Sequence, residues 1–241
     1  MPEMLDVFDA NRRHIGVADR NVVHNAGLWH KTVHCWIAVT TAPGEHWIVF
    51  QRRDRNGADA NAGKLYTTAS GHVSAGEDLP AAFAREVRQE IGVDIAASSD
   101  CSGAKFLFET VWVADIEKKD GTMFVDRVFA NTYCARFHNA GPALADDLDF
   151  WRRFRFSDGE VDGLVAVRAD EFIALCDGAA AGNPGGPVTG IRGIEWDGAA
   201  LCAVDLTPTD FVVNAGETLS GKFKRIADLV NAGAECGLSP R

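Results

Sequence analysis

The spacing of apolar residues changes several times along the chain, and each spacing predicts a different kind of element. Residues 33–40 and 46–52 are apolar runs rich in β-branched side chains, with a Pro-Gly turn between them, and they predict two paired strands. Residues 65–70 predict a short strand, and residues 163–168 predict another one, followed by a helix over 169–176. Residues 106–116 and 123–137 predict a long hairpin, because an Asp-Gly turn signal stands between them.

One stretch between these strands has apolar residues at every fourth position. This period predicts an amphipathic helix over residues 79–90 with one buried stripe. Asp78 is placed to cap the start of this helix, and Gly92 is placed to end it. The stripe consists of Leu79, Phe83, Val87 and Ile91.

The elements predict one α/β core with additions at both ends. We assign residues 1–30 to an N-terminal lead-in, residues 31–177 to the core with an insertion at 139–156, and residues 178–241 to a loop and a C-terminal helical extension. Residues 178–193 are rich in Gly, Pro and Ala and predict a surface excursion or lid. Residues 207–232 predict two helices with a break near Gly216.

Composition excludes several classes of partner. The formal net charge of −10 argues against a nucleic-acid polymer, since binding to its backbone needs a basic surface. No apolar run is long enough to predict a membrane span, and the start lacks the pattern of a signal peptide. The six cysteines form no CxxC pair and predict free thiols in a reducing cytoplasm, bacterial by default. The sequence is compatible with a homodimer.

The predicted helix over 79–90 also carries candidate chemistry. Glu86 and Glu90 are four residues apart, so their carboxylates project from one face. Mg²⁺ prefers carboxylate oxygens together with water and substrate phosphates, so the pair could hold this cation. Taken alone, the two residues fit an ordinary solvated acidic face better than a metal site.

The residues around this pair match a longer motif. Glycine, glutamate and the Arg-Glu pair stand at the spacing G-x5-E-x7-R-E-U-x-E-E-x-G-U, where U is a bulky aliphatic residue, and this pattern resembles the Nudix box. The matching residues are Gly71, Glu77, Arg85, Glu86, Val87, Glu90, Gly92 and Val93. The resemblance implies an α/β/α sandwich with a mixed sheet, and a hydrolase that cleaves the phosphoanhydride of a small organic diphosphate with Mg²⁺ or Mn²⁺.

The resemblance also implies roles for individual residues. Glu86 and Glu90 would bind the metal and serve catalysis, with Glu86 as the first choice for the base and Asp126, Asp158 and Glu160 as alternatives. The backbone carbonyl of Ser70 would add a ligand, and Arg85 would orient Glu77 structurally. Gln89 stands where the family has a glutamate, and an amide can ligate a metal but carries no charge. The substitution therefore puts the number of metals in question.

The segment 24–37 resembles the entry segment of isopentenyl-diphosphate isomerases and their hydrolase relatives. In those isomerases three histidines bind a divalent metal, and His24, His30 and His72 fall at matching places. These histidines could instead cap, hydrogen-bond or pack. Ser70 stands where the isomerase has its acid/base cysteine, and residues 124–129 lack the isomerase's later pair of glutamates. The hydrolase is therefore the leading hypothesis, and the alternatives are isomerisation or a catalytically weak nucleotide-binding module.

Two further clusters have two interpretations each. Arg52 and Arg53 follow an apolar strand and could face substrate phosphates, or they could form a solvated rim. The aromatic and arginine residues at 150–156 could stack on a base and pair with phosphate, or they could pack the insertion onto the core.

Overall fold

The centre of the molecule is a mixed β-sheet with helices on both of its faces. The computed structural model describes residues 2–57, 61–117, 121, 123–139, 141, 143–157, 159–180, 190–212, 219 and 221–232. The strands are β1 (Met4–Phe8), β2 (His14–Asp19), β3 (His30–Ala42), β4 (Glu45–Arg53), β5 (Leu65–Tyr66), β6 (Ala69–His72), β7 (Cys101–Glu117), β8 (Met123–His138), β9 (Val161–Arg168), β10 (Ile191–Trp196) and β11 (Leu201–Leu206). The helices are α1 (Arg20–Ala26), α2 (Leu79–Ile91), α3 (Leu148–Trp151), α4 (Ala169–Ala180) and α5 (Lys222–Asn231), with a 3-10 helix at Pro208–Asp210.

The sheet runs in the order β11-β10-β9-β4-β3-β8-β7, and β3 and β8 are parallel while the other pairs are antiparallel. Successive residues of a strand point to opposite faces. In β3, Val33 and Ile37 therefore pack with Phe83 of α2, whereas Trp36 packs with Phe223 of α5. The two apolar clusters make the α/β/α sandwich with a mixed sheet, as the sequence predicted.

The sheet opens into a fork between β3 and β4. The two strands pair only as far as Ile37 and Val49, after which β6 pairs with β3 and β5 pairs with β4. The Thr68 side chain closes the fork, because its Oγ1 accepts from the Ile37 backbone N–H and donates to the Val49 carbonyl. The fork places β6 and the end of β4 against α2.

The N-terminal lead-in is an ordered unit of its own. Strands β1 and β2 form an antiparallel hairpin, and α1 follows with Asp19 as its N-cap. Leu5, Val7 and Val23 form a small core between the hairpin and the helix. Glu3, Arg20 and His24 lie in this unit, so it brings ionisable side chains to the main sheet.

The segment 178–241 differs from the prediction of a loop followed by helices. Residues 191–206 form the hairpin β10–β11, which extends the sheet beside β9. The hairpin turn carries Gly198 at a φ of 93°, and the buried polar residue Glu195 interrupts the alternation that would have indicated a strand. The expected final helices are represented by the 3-10 helix and α5. Residues 181–189 of the loop or lid predicted at 178–193, the break near Gly216 and the turn residues 118–120 lie outside the described residues.

The insertion packs onto the core instead of presenting its aromatic rings to a ligand. Phe150, Trp151 and Phe154 are at most 2% exposed. Arg153 stacks on the Phe150 ring at 4.8 Å and pairs with Asp100. The packing interpretation of residues 150–156 therefore holds for these side chains.

Two more expectations concern the whole chain. Among the helices the structure describes, none is long and apolar enough to cross a membrane. The five cysteines within the described ranges are free thiols, as predicted, and Cys236 lies outside those ranges.

Candidate active site

A cavity of about 720 Å³ lies beside α2 and the sheet fork. It is lined by Glu3, Arg20, Ser70, Gly71, His72, Ser74, Arg85, Glu86, Arg88, Gln89, Glu90, Ser157 and Glu160. The acidic residues of the motif thus share one space with side chains of the N-terminal unit. Asp158, a candidate for the base, lies outside the described residues.

Helix α2 is fixed at both ends and along its apolar stripe. The Asp78 side chain accepts from the Ala81 backbone N–H at 2.7 Å, which is the predicted N-cap. Gly92 ends the helix with a φ of 73°, a left-handed conformation that favours glycine. Phe83, Val87 and Ile91 of the stripe are buried and Leu79 is partly buried, so the helix has one rotational setting, and this setting turns Glu86 and Glu90 toward the cavity.

Glu86 lies against Gly71 and Arg85. A Cβ atom on residue 71 would fall onto the Glu86 carboxylate, so only glycine allows the side chain to lie there. Oε1 of Glu86 accepts from Arg85 at 2.6 Å. Burial raises the pKa of Glu86, and the neighbouring Arg85 opposes the rise.

Glu90 is held by two other elements. Its Oε2 accepts from the side-chain amide of Gln51 at 3.1 Å, and its Oε1 accepts from the Ser70 backbone N–H at 3.2 Å. Glu90 is 5% exposed and Gln51 is 3% exposed, so the contact between them is shielded from water. The carboxylate is therefore fixed from β4 and from β6.

Arg85 makes contacts with four groups of the motif. It forms a two-pronged pair with Glu77 at 2.9 and 2.8 Å, and it donates to the His72 carbonyl at 2.8 Å. It also donates to Gln89 at 3.1 Å, in addition to Glu86. Burial alone would raise the pKa of Glu77, but hydrogen bonds from Arg85 and Ser74 outweigh it and the pKa is lowered. The Glu77–Arg85 pair has the geometry of the structural role that the resemblance implies.

The side chains at this cavity fit a hard divalent cation. Glu86 and Glu90 are buried carboxylates, and buried charges in proteins are paired or coordinate metals. Their oxygens, with the amide oxygen of Gln89 and the carbonyl of Ser70, are the donors that Mg²⁺ prefers. Gln89 is exposed and its Oε1 accepts from Arg85, so it stands at the edge of this group.

The three histidines come together beside the same cavity. The ring centroids of His24, His30 and His72 are 5.0 to 5.3 Å apart, and one nitrogen from each lies within 4.8 Å of the others. Nδ1 of His24 faces the Arg20 carbonyl at 2.8 Å, and Nδ1 of His30 faces the Leu28 carbonyl at 3.1 Å. These carbonyls favour a proton on Nδ1, which leaves Nε2 as the lone-pair nitrogen in both rings.

Asp126 of β8 completes this cluster. Its Oδ1 lies 3.7 Å from Nε2 of both His24 and His30. Burial lowers the pKa of His30 to about 4 and that of His72 to about 2, so both rings are neutral near pH 7. His30 Nε2 and Asp126 Oδ1 are buried and have no hydrogen-bond partner among the described residues. Neutral imidazoles beside a carboxylate fit a borderline cation such as Zn²⁺ or Mn²⁺.

The structure does not bring Arg52 to the cavity. Arg52 is 7% exposed, and its guanidinium pairs with Glu195 through Nε at 2.5 Å and Nη2 at 2.9 Å. Its Nη1 donates to the Gly63 carbonyl. Arg52 is therefore committed to a buried ion pair, so the expectation of a phosphate contact is wrong for it. The neighbouring Arg53 is not among the residues that line the cavity.

Sequence reasoning missed three residues at the site. Gln51 gave no signal, because its contact with Glu90 joins positions far apart in the chain. Glu3 and Arg20 line the cavity and pair with each other at 3.2 Å. Arg20 stands four residues before His24 on a short helix, and this spacing could have indicated it.

Comparison with known proteins identifies one family. The NUDIX domain model matches residues 30–175. An uncharacterized Nudix hydrolase of Clostridium acetobutylicum is 35% identical over 175 residues, which cover 73% of this chain and 74% of that protein. Nudix hydrolase 3 of Arabidopsis thaliana is 29% identical over 173 residues, which cover 70% of this chain and 20% of that protein.

A crystal structure of a Deinococcus radiodurans protein is similar over 95% of this chain and 99% of that chain, at 18% identity and a TM-score of 0.45. The domain match spans more than half of the chain, and the motif residues lie together at one cavity. This protein belongs to the Nudix family and is a Nudix-type hydrolase.

Proposed function

We propose that this protein hydrolyses the phosphoanhydride of a small organic diphosphate, such as a nucleoside diphosphate linked to another moiety, with Mg²⁺ or Mn²⁺. The observation that carries the proposal is the pair of buried carboxylates, Glu86 and Glu90, that opens onto a cavity of about 720 Å³. A cavity of this size accommodates a small-molecule ligand.

The residues that would bind the metal have proposed tasks. Glu86 and Glu90 hold the cation, and Gln89 and the Ser70 carbonyl support them. A bound divalent cation would screen the phosphate charge and favour attack by water on phosphorus. Because Oε1 of Glu86 accepts from Arg85, we assign Oε2 to taking the proton from the attacking water. Glu160 lines the same cavity and is the alternative base.

A substrate screen tests this proposal. The protein would be incubated with Mg²⁺ and ADP-ribose, NADH, dinucleoside polyphosphates, nucleotide sugars, thiamine diphosphate or isopentenyl diphosphate. Phosphate release after coupling to a phosphatase and formation of allylic product would be measured together. We expect phosphate release from at least one nucleotide compound and its loss in EDTA. Turnover that persists in EDTA would contradict the proposal.

We also propose that His24, His30, His72 and Asp126 hold a second cation. The support is the buried, unpartnered pair of His30 Nε2 and Asp126 Oδ1, since an unsatisfied polar group in the interior is costly. A cation would satisfy both atoms at once. This cluster uses softer donors than the box carboxylates, so the two sites would prefer different metals.

Metal analysis of the purified protein tests the second site. We expect about one equivalent of Zn²⁺ or Mn²⁺ per chain after dialysis, and its loss in the His30→Ala variant. The Glu90→Gln variant is the control, because its change lies at the other site and should leave this equivalent in place. Equal metal content in the wild-type and His30→Ala proteins would contradict the assignment.

A further inference from the structure

We propose that Gln51 is a positioning residue for Glu90, a role that rests on the proposed function of Glu90 as a metal ligand. Gln51 lies on β4, outside the Nudix motif. It donates from Nε2 to Oε2 of Glu90 at 3.1 Å. It acts through Glu90 and is assigned no contact with substrate.

The burial of Gln51 is the first argument. The three residues before it on β4 are Ile48, Val49 and Phe50, and none of them is more than 1% exposed. Gln51 is 3% exposed, so a buried amide follows three buried apolar side chains. Burying an amide costs free energy unless it is hydrogen-bonded. The contact with Glu90 supplies that hydrogen bond, which offsets the cost of burying the amide.

The position of Gln51 in the sheet is the second argument. It pairs with Tyr66 of β5 on one side and with Leu164 of β9 on the other. A residue between two strands has a fixed backbone, so the amide reaches Glu90 from a rigid support. The Ser70 backbone N–H holds the other oxygen of Glu90 from β6.

The two carboxylates are thus oriented by different means. Glu86 accepts a hydrogen bond from Arg85 and lies in the space left by the absent side chain of Gly71. Glu90 accepts hydrogen bonds from the Gln51 amide and the Ser70 backbone N–H. Groups that hydrogen-bond to a metal ligand fix its orientation, and their loss typically lowers metal affinity by about 10- to 100-fold. We therefore expect Gln51 to govern cation affinity at this carboxylate.

Mn²⁺ binding measured by electron paramagnetic resonance tests the role without an assay of activity. The Mn²⁺ that excess Mg²⁺ displaces would be attributed to the box carboxylates, because a histidine-rich cluster is a poor site for Mg²⁺. We expect Gln51→Met, which keeps the size but removes the donor, to weaken this binding about tenfold. Gln51→Asn keeps an amide, but its side chain is too short to reach Glu90, so this variant should weaken Mn²⁺ binding similarly. If the Met variant fails to fold, the Asn variant alone tests the positioning role.

Asn131→Leu is the matched control. Asn131 is also a buried amide, 3% exposed, and it donates to the carbonyls of Phe129 and Thr32. We expect this variant to retain wild-type Mn²⁺ affinity. Unchanged binding in both Gln51 variants, or an equal loss in Asn131→Leu, would overturn the positioning role. Glu90→Gln separates the two proposals: if it too leaves the displaceable Mn²⁺ unchanged, the site assignment itself fails.

Discussion

At the scale of single residues, Arg85 links the box to the rest of the site. It holds Glu77 by two hydrogen bonds, contacts Glu86, and donates to the carbonyl of His72, whose ring belongs to the histidine cluster. One guanidinium thus connects both proposed metal sites. Arginine suits this task because its planar fork has five donors and stays charged.

The first prediction concerns Glu90. We expect Glu90→Gln to lower turnover by about a hundredfold or more, because it removes a charge from the metal site while keeping the side-chain shape. Steady-state kinetics at several Mg²⁺ concentrations would measure the effect, with circular dichroism as the check on folding. Near-normal turnover with unchanged Mg²⁺ dependence would exclude Glu90 from the site.

The second prediction concerns Gln89. We expect Gln89→Glu to tighten Mg²⁺ binding, because it adds a third carboxylate beside Glu86 and Glu90. Gln89 is exposed and already accepts from Arg85, so a glutamate fits there without new burial. Calorimetric titration would measure the change in affinity. If the affinity is equal or weaker, residue 89 does not contribute to the metal site.

At the scale of elements, the insertion is attached to the C-terminal end of α2. The Arg155 backbone N–H donates to the Ile91 carbonyl at 3.0 Å, which satisfies an acceptor at the C-terminus of α2. A Cβ on residue 92 would lie 2.9 Å from the Arg155 carbonyl. Gly92 is therefore required for its left-handed conformation and also for this close approach.

The third prediction separates these two requirements. We expect Gly92→Ala to lower the free energy of unfolding by more than the roughly 1–2 kcal/mol that a left-handed conformation costs an ordinary residue. Gly103→Ala is the control, because Gly103 has a φ of 76° and a Cβ there would meet nothing within 4 Å. Urea denaturation would compare both variants. Equal losses would show that the contact with Arg155 adds no constraint.

The helix and most core strands could be predicted because their signals are local. Asp78, the four-residue stripe and Gly92 indicated α2, and the structure has each of them in the predicted role. The hairpin β10–β11 was missed, because Glu195 is buried at a position that would normally be apolar. Its burial depends on Arg52, which is 143 positions away. A contact at that separation has no local pattern, and the same holds for Gln51 and Glu90.

The fourth prediction concerns this long-range pair. Glu195 accepts from Arg52 and also from Arg55, so it holds β10 to the end of β4 and the residues after it. Removing one partner of a buried ion pair costs about 3–5 kcal/mol, because the other charge stays buried. We expect Glu195→Gln to destabilise the protein by that order. Arg192→Gln is the control, since its pair with Asp205 is exposed and should contribute little.

At the scale of the whole molecule, the site combines the domain with the segment that precedes it. The family match begins at residue 30, yet Glu3, Arg20 and His24 face the box residues or the histidine cluster. The N-terminal unit therefore contributes side chains to the candidate active site. Because His24, His30 and His72 match the isomerase pattern noted in the sequence, isomerisation is the alternative activity that an experiment should exclude.

The last prediction tests for isomerisation with a substitution at Ser70. The residue lies on β6 opposite His34, and its backbone N–H donates to Glu90. Ser70→Cys supplies the thiol that an isomerase would need, but we expect no allylic product, because one acid/base group cannot serve both faces of an alkene. On β8, Asp126 faces the histidines, and the next residue, Arg127, pairs with Asp115 at 2.6 Å. The later pair of glutamates is therefore absent from this strand.

The same variant also tests the role of the Ser70 backbone. We expect Ser70→Cys to retain diphosphate hydrolysis, because the backbone N–H and carbonyl are unchanged and the two side chains are similar in size. Both products would be measured in one assay with isopentenyl diphosphate and the best nucleotide substrate. An allylic product from either protein would overturn the hydrolase proposal. Loss of hydrolysis in a folded variant would instead mean that the Ser70 hydroxyl contributes directly, since it is the only group removed.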